Sequence, residues 1–140
     1  MIVVDSSALI AILFREPQSN ALIDRLGAST ESQRFLSAAN YLETGAVIAG
    51  RVPDAMAGLK DLDTLIVLFG IKVVPLTEAQ ARIGLQGRIL FGRGSGSPAR
   101  LNLGDCYAYA LARDLDAPLL FIGDDFTHTD VRSALPVTSR

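Results

Sequence analysis

Short apolar runs along the chain alternate with longer segments in which apolar residues recur at helical spacing. Four of the short runs predict buried strands, because each is rich in β-branched or aliphatic residues and stops at a polar residue or a glycine. The predicted strands cover residues 2–4, 34–37, 71–76 and 119–122. A weaker strand is predicted near Pro136-Val137.

Six helices are predicted from the apolar spacing of the remaining segments and from residues that start or stop a helix. They cover residues 8–13, 17–26, 38–51, 53–69, 78–91 and 103–115. N-caps are predicted at Ser6 or Ser7 for the first helix, at Thr77 for the fifth and at Asn102 for the sixth. Strands separated by helices need crossover connections, which indicates an α/β fold with a parallel sheet covered on both faces.

The composition indicates more apolar surface than one domain of this size can bury. The chain has 140 residues, which predicts one domain (1–140), and 49% of its residues are apolar, which excludes a disordered chain. Its mean hydropathy is +0.33, and a domain of this size cannot bury every apolar side chain. We therefore expect a partner or a second copy of the chain to cover part of its surface. The net charge of −2 excludes a general basic coat that would attract nucleic acid.

The cysteine and histidine content excludes an internal disulfide and a zinc site of the usual spacing. Cys106 is the single cysteine and His128 the single histidine, which fits a reducing compartment. The longest apolar stretch, residues 64–74, is too short to span a membrane and contains Lys72. The first 14 residues contain no basic residue and include Asp5, so they predict structure rather than a signal peptide. Together these features predict a cytoplasmic protein.

Acidic residues stand out by their position at the ends of predicted strands and the starts of predicted helices. Asp5 follows the first strand, and Asp124 and Asp125 follow the last one; Glu43 and Asp105 lie in early turns of helices. Because the carboxyl ends of parallel strands meet at one edge of a sheet, these acids are expected to cluster there. Each alone has a plainer interpretation, as a helix cap or as a response to the helix dipole.

Clustered carboxylates repel one another unless a cation lies among them. Oxygen donors without His or Cys suit Mg²⁺ or Mn²⁺, and such ions can activate water and hold a phosphodiester for in-line displacement. The acids therefore favour metal-dependent hydrolysis of phosphodiesters.

Several stretches around these acids are similar to a known family. Residues 3–9 (VVDSSAL) and 40–43 (NYLE) resemble the start of PIN-domain ribonucleases. Residues 100–112 (RLNLGDCYAYALA) and 119–126 (LLFIGDDF), followed by THTDV, resemble VapC toxins of bacterial VapBC toxin–antitoxin pairs. The similarity extends over essentially the whole chain. It implies a PIN-like three-layer α/β/α sandwich around a mostly parallel sheet of four to five strands.

The resemblance also implies roles for individual residues. Asp5, Glu43 and Asp105 match the acidic metal-site residues of the family; Asp124 is the preferred fourth acid and Asp125 its substitute. Ser7 matches a polar position beside the metal, with a simple helix cap as the alternative. The family cleaves RNA with Mg²⁺ or Mn²⁺ and water as the nucleophile. A VapB antitoxin inhibits the toxin and binds operator DNA through its own DNA-binding part, and a homodimer of the toxin is expected.

Positive charge for an RNA backbone is predicted in residues 82–100, which contain no acid. The candidates are Arg82, Arg88, Arg93 and Arg100, with a solvated helix face as the alternative interpretation. The glycines at 92, 94 and 96 do not form a dinucleotide fingerprint, because they follow a helix rather than a strand.

The remaining notable side chains have plainer predicted roles. We interpret His128 as incidental rather than as a general base, Cys106 as a packed side chain, and Tyr107 and Tyr109 as core or interface residues. A set of apolar residues at helical spacing is predicted to form core, and part of it could form a groove for an antitoxin helix. This set is Phe14, Leu22, Ile23, Met56, Leu59 and Leu62.

Two other functions compete with the ribonuclease. A phosphatase or phosphoryl-transfer domain also carries an Asp after its first strand, but here no second Asp follows two residues later and no Lys follows a later strand. A receiver-like or PIN-like binding module would use the acids only to hold a structural cation.

Overall fold

The computed structural model describes residues 1–136. Four parallel strands form one sheet in the order β3-β2-β1-β4, which confirms the predicted α/β class and the parallel sheet. The strands are β1 (Ile2–Val4), β2 (Arg34–Ser37), β3 (Ile71–Val74) and β4 (Leu119–Leu120). β3 and β4 end two residues earlier than predicted. At β3 the reason is Pro75, which lacks the N–H needed to continue the ladder.

Six helices connect the strands, as predicted. They are α1 (Ser6–Leu13), α2 (Ser19–Leu26), α3 (Ala38–Arg51), α4 (Ala55–Leu68), α5 (Glu78–Phe91) and α6 (Leu103–Leu115). Both helices predicted to open at a proline start two residues later than expected. For α4 the reason is Asp54, whose side chain accepts a hydrogen bond from Ala57 N and so caps the helix after Pro53.

The weak strand predicted near Pro136-Val137 is replaced by a short pairing a few residues earlier. Ser133 forms a parallel bridge with Leu119, and Leu119 N donates to Arg132 O at 2.8 Å. Val137 lies outside the described residues. The described sheet therefore has four strands with one added bridge beside β4.

The sheet separates two apolar clusters, one on each face, because successive residues of a strand point to opposite sides. Ile2 and Val4 pack with residues of α1, α2, α3 and α4, whereas Val3 packs with residues of α6. α5 packs against α6 on that second face. The helices thus form two layers around the sheet, and the expected three-layer α/β/α sandwich is confirmed. No helix within residues 1–136 is both long enough and apolar enough to cross a membrane.

Candidate active site

Asp5 follows β1 and caps α1, which makes the predicted cap at Ser6 or Ser7 wrong. Its Oδ2 accepts hydrogen bonds from Ser7 N at 3.1 Å and from Ser7 Oγ at 2.6 Å. Asp5 is only 4% exposed. Burial raises the pKa of its carboxyl from 3.8 to about 6, the Ser7 hydrogen bonds lower it in part, and the charge of Glu43 raises it. The ionised form of Asp5 is unfavourable at this buried position, and a bound cation would offset that cost.

Ser7 connects Asp5 to the chain segment that follows β4. While its hydroxyl donates to Asp5, its Oγ accepts a hydrogen bond from Ile122 N at 3.2 Å. Gly123 then adopts a φ of +90°, a conformation that favours glycine, and the chain turns into Asp124 and Asp125. Ser7 is therefore a bridge between two acid-bearing segments rather than a helix cap.

Asp105 lies in the first turn of α6 and forms a reciprocal cap with Asn102. Asn102 N donates to Asp105 Oδ2 at 3.0 Å, and Asp105 N donates to Asn102 Oδ1 at 2.9 Å. Burial raises the pKa of Asp105 to about 7, although the backbone hydrogen bond from Asn102 lowers it. The charges of Asp5 and Asp125, and a side-chain hydrogen bond with Asp125, raise it further. Asp105 therefore interacts electrostatically with two of the other predicted acids, Asp5 and Asp125.

Glu43, in α3, lies at the same carboxyl-terminal edge of the sheet and contacts the first turn of α6. Asn40 Nδ2 donates to Glu43 Oε1 at 3.2 Å and to Gly104 O at 3.0 Å. A Cβ added to Gly104 would overlap Glu43 Oε2 and lie 2.6 Å from Glu43 Cδ. The Glu43 carboxylate therefore rests on the residue directly before Asp105.

Asp124 and Asp125 are the two candidates for the fourth acid, and they differ in their relation to Asp105. Both are exposed, and Asp125 is the one whose carboxyl raises the pKa of Asp105. Asp124 contributes its backbone carbonyl, which accepts a hydrogen bond from Thr127 N at 3.2 Å. The geometry favours Asp125, whereas the sequence pattern favours Asp124.

The donor chemistry of these residues fits a hard divalent cation. Among residues 1–136 no three His, Cys, Asp or Glu side chains are arranged, as they stand, to hold one ion together. Mg²⁺, however, usually keeps several waters and binds through only one or two carboxylates. A site made of carboxylate oxygens with raised pKa values is suited to such an ion, because the cation offsets their repulsion.

The four arginines proposed for RNA contact lie in different environments. Arg82 pairs with Glu78 one turn earlier at 3.0 Å, and both side chains are exposed. Arg88 Nη1 donates to Leu101 O at 2.8 Å and to Arg93 O at 3.3 Å. Arg88 therefore connects α5 to both ends of the loop 92–101. Arg93 and Arg100 line an open cavity of about 490 Å³ together with Gly94 and Asp125. Of the four, this last pair adjoins the acidic edge.

The other notable side chains mostly have structural environments. Cys106 and Tyr109 are buried as predicted, and the Tyr109 ring lies 6.0 Å from that of Phe91. Tyr107 is half-buried, and His128 is exposed in the turn after β4. In the predicted core set Leu22 and Leu62 are buried and Phe14 and Leu59 are half-buried. Ile23 and Met56 are exposed, which corrects the prediction for those two: each faces away from the sheet on its amphipathic helix.

Sequence reasoning assigned no role to Asn40 or Gly104, although both lie in stretches that resemble the family. Asn40 is fully buried, and its contact with Gly104 joins residues 64 positions apart, so no local pattern indicates it. The sole local signal is a glycine in the first turn of a helix, a position where glycine is unfavourable compared with alanine.

The comparisons with known proteins identify the class. The PIN domain family matches residues 2–132. In fold, the chain is similar to the Mycobacterium tuberculosis toxin VapC20, described as cleaving the sarcin–ricin loop (TM-score 0.76, 16% identity, 97% of this chain and 100% of that one). It is also similar to VapBC2 from Rickettsia felis, solved with a DNA fragment from its promoter (TM-score 0.74, 12% identity, 95% and 97%). The protein therefore has a PIN domain.

More closely related sequences narrow the assignment. Ribonuclease VapC42 of M. tuberculosis is 46% identical over 132 residues, which cover 94% of this chain and 98% of the relative. Ribonuclease VapC28 of the same organism is 47% identical over 133 residues, covering 95% and 97%. The chain belongs to the VapC ribonuclease family of PIN-domain toxins.

Proposed function

We propose that this protein is the toxin of a type II toxin–antitoxin system and an endoribonuclease that hydrolyses RNA phosphodiesters with Mg²⁺ or Mn²⁺. The observation that carries the proposal is that Asp5, at the carboxyl end of β1, lies within electrostatic range of both Glu43 of α3 and Asp105 of α6. The close relationship to VapC ribonucleases supports the same activity. We further propose that residues 1–140 act as a single PIN domain in the cytoplasm.

The metal would be held by Asp5, Glu43, Asp105 and Asp125, with Asp124 as the alternative to Asp125. Once bound, the ion would supply a Lewis acid for the scissile phosphate and a lower pKa for a water nucleophile. The chain's own contribution is to fix the carboxylates: Ser7 orients Asp5, and Asn102 orients Asp105.

The RNA backbone would lie along Arg93 and Arg100, which adjoin Asp125. Guanidinium groups suit phosphate because they present several donors in one plane. Arg88 is better suited to holding the loop than to binding RNA, since its guanidinium already donates to two carbonyls. Arg82 is left out of the proposed RNA site because its charge is offset by Glu78.

The partners of the protein would be a VapB-type antitoxin and a second copy of the chain, with DNA bound only through the antitoxin. Solved structures of similar fold include a toxin–antitoxin complex from Klebsiella pneumoniae and the Rickettsia felis VapBC2 complex with DNA. A small crevice lined by Leu13, Phe14, Ile48 and Val52, between α1, α3 and α4, is a candidate place for an apolar antitoxin side chain.

The test is incubation of the purified toxin with mixed RNA in Mn²⁺, with and without excess EDTA. We expect cleavage in Mn²⁺, none in EDTA, and a loss of at least about 100-fold in Asp5→Asn and Asp105→Asn, because each removes a metal ligand. Asp24→Asn, an exposed acid on α2, is the matched control and should cleave like the wild type.

Equal RNA loss in the wild type and in both site variants would contradict the proposal. Release of phosphate from a generic phosphomonoester in place of RNA cleavage would favour a phosphatase. Binding of Mn²⁺ without either activity would favour a binding module.

A further inference from the structure

Asn40 lies where the three acid-bearing elements meet. Its side-chain Nδ2 donates to Glu43 Oε1 in α3 and to Gly104 O in α6. Its backbone carbonyl accepts a hydrogen bond from Ser6 Oγ, the hydroxyl next to Asp5, at 3.3 Å. One fully buried residue therefore contacts Glu43 itself and the chain neighbours of Asp5 and Asp105.

The orientation of the Asn40 amide follows from its partners. Glu43 Oε1 and Gly104 O are both acceptors, so only the amide nitrogen can face them. Asn40 Oδ1, on the other side, is buried and has no hydrogen-bond partner among residues 1–136. A buried amide oxygen without a partner is unfavourable. The chain keeps this polar side chain where an apolar one would avoid that cost, which indicates that the hydrogen bonds of Nδ2 are needed.

Gly104 supplies the space that the Glu43 carboxylate occupies. The three atoms nearest to a Cβ added at this position all belong to that carboxylate. Gly104 lies in the first turn of α6 with a negative φ, so no backbone strain requires a glycine there. Alanine would favour the helix, and the remaining reason for glycine is room for Glu43.

We propose that Asn40 and Gly104 are positioning residues that set the place of the Glu43 carboxylate relative to Asp5 and Asp105, and through it the affinity for the divalent cation. The inference rests on the proposed metal site. Neither residue would contact the ion or the RNA; both act through Glu43. Groups that orient metal ligands typically change metal affinity about 10- to 100-fold when they are removed.

The test measures Mn²⁺ affinity by calorimetry in the absence of RNA, with thermal unfolding as a second readout. Gly104→Ala should weaken Mn²⁺ binding by about 10- to 100-fold. It should still fold, because the flexible end of Glu43 can move aside. Gly84→Ala is the matched control: its added Cβ would meet the α6 backbone at Cys106 O, 3.2 Å away, without reaching Glu43. That variant should bind Mn²⁺ like the wild type.

A double-mutant cycle separates positioning from general damage. In a Glu43→Ala background, Gly104→Ala should cause no further loss of Mn²⁺ affinity. There it should also raise the unfolding temperature, because the overlap is gone and alanine favours the helix. In the wild-type background the same substitution should lack this stabilisation.

Asn40→Ala should likewise weaken Mn²⁺ binding in the wild-type background and have no further effect in Glu43→Ala. Thr44→Val is its control, since the Thr44 hydroxyl donates to Asn40 O at 2.7 Å within the same buried network and not to the Glu43 carboxylate. It should keep the wild-type Mn²⁺ affinity.

Two results would overturn the inference: folded Gly104→Ala with wild-type Mn²⁺ affinity, or an equal loss of affinity with and without Glu43. Asp5→Asn distinguishes this failure from a failure of the metal site. If Asp5→Asn loses Mn²⁺ and Gly104→Ala does not, only the positioning role is wrong. If Asp5→Asn also binds Mn²⁺ fully, the metal site itself is wrong.

Discussion

Asp5 and Asp105 have carboxyl groups whose ionisation is unfavourable in the folded protein. Their pKa values rise from 3.8 to about 6 and to about 7, with burial as the largest cause in both. Between about pH 4 and pH 7 the folded state therefore binds more protons than the unfolded chain, so the free energy of unfolding falls as pH rises. The stabilisation is present at low pH and is lost above the folded-state pKa values.

We accordingly predict that in EDTA the unfolding temperature decreases from about pH 5 to about pH 8. The full shift of Asp5 corresponds to a loss on the order of 3 kcal/mol between about pH 4 and pH 7, and only part of that loss falls above pH 5. Asp105→Asn should flatten this decrease, while Asp24→Asn should leave it unchanged. Calorimetry across the pH range measures it; an unfolding temperature that rises equally in all three proteins would contradict the assignment. Added Mn²⁺ at pH 8 should restore stability, because the cation replaces the protons.

At single residues, sequence alone locates the acids but not what orients them. Asp5 and Asp105 can be found because each lies next to a strand end or a helix start, which are local features. Asn40 and Gly104 cannot, because their effect depends on the packing of α3 against α6. Ser7 lies between the two cases: its contact with Asp5 is local, whereas its contact with Ile122 spans 115 residues.

At the level of elements, apolar spacing predicts the six helices and the four strands of the sheet correctly, and apart from the weak strand near Pro136-Val137 the errors concern their ends. Pro53 and Pro75 illustrate the reason. A proline marks a boundary, but other features decide the exact residue. The cap at Asp54 starts α4 after Pro53, and the missing N–H of Pro75 ends β3 before it. The attachment of the loop 92–101 to α5 through Arg88 is not predictable in this way, because a side chain holding backbone carbonyls leaves no sequence pattern.

This loop leads to a prediction that separates the arginines by role. Arg88→Ala should lower the unfolding temperature, because Arg93 O and Leu101 O each lose a side-chain donor and Leu101 O keeps only the hydrogen bond from Arg93 N at 3.2 Å. Arg93→Ala and Arg100→Ala should leave stability nearly unchanged but weaken binding of single-stranded RNA. Removal of one arginine–phosphate ion pair should reduce the slope of log affinity against log salt by about 0.7. Arg82→Ala serves as the control with unchanged affinity.

Binding isotherms at several salt concentrations, in EDTA to prevent cleavage, make this measurement. An unchanged slope in both Arg93→Ala and Arg100→Ala would remove these residues from the RNA site. A larger effect of Arg82→Ala would instead move the site along α5.

For the whole molecule, the apolar excess of the sequence lies on exposed helix faces. Leu85 and Ile89 of α5 are 62% and 67% exposed, and Leu103 of α6 is 65% exposed. Leu85 and Leu103 line an apolar cavity of about 310 Å³ between these two helices, and Ile89 follows Leu85 by about one helical turn. Surface of this kind, beside a largely filled core, indicates an interface. Its position on the α5–α6 face, away from the crevice between α1, α3 and α4, leaves that crevice free for the antitoxin.

We predict that the toxin forms a homodimer through the α5–α6 face. In a two-fold interface every substitution occurs twice, and burial of one Leu or Ile side chain contributes about 1.5–3 kcal/mol. Ile89→Glu should therefore convert the dimer to a monomer in light scattering coupled to size-exclusion chromatography. Val67→Glu places the same charge on α4, where Val67 is 79% exposed on the opposite layer, and should remain dimeric. A dimer that survives Ile89→Glu but dissociates in Val67→Glu would assign the interface to α4 and the α5–α6 face to another partner.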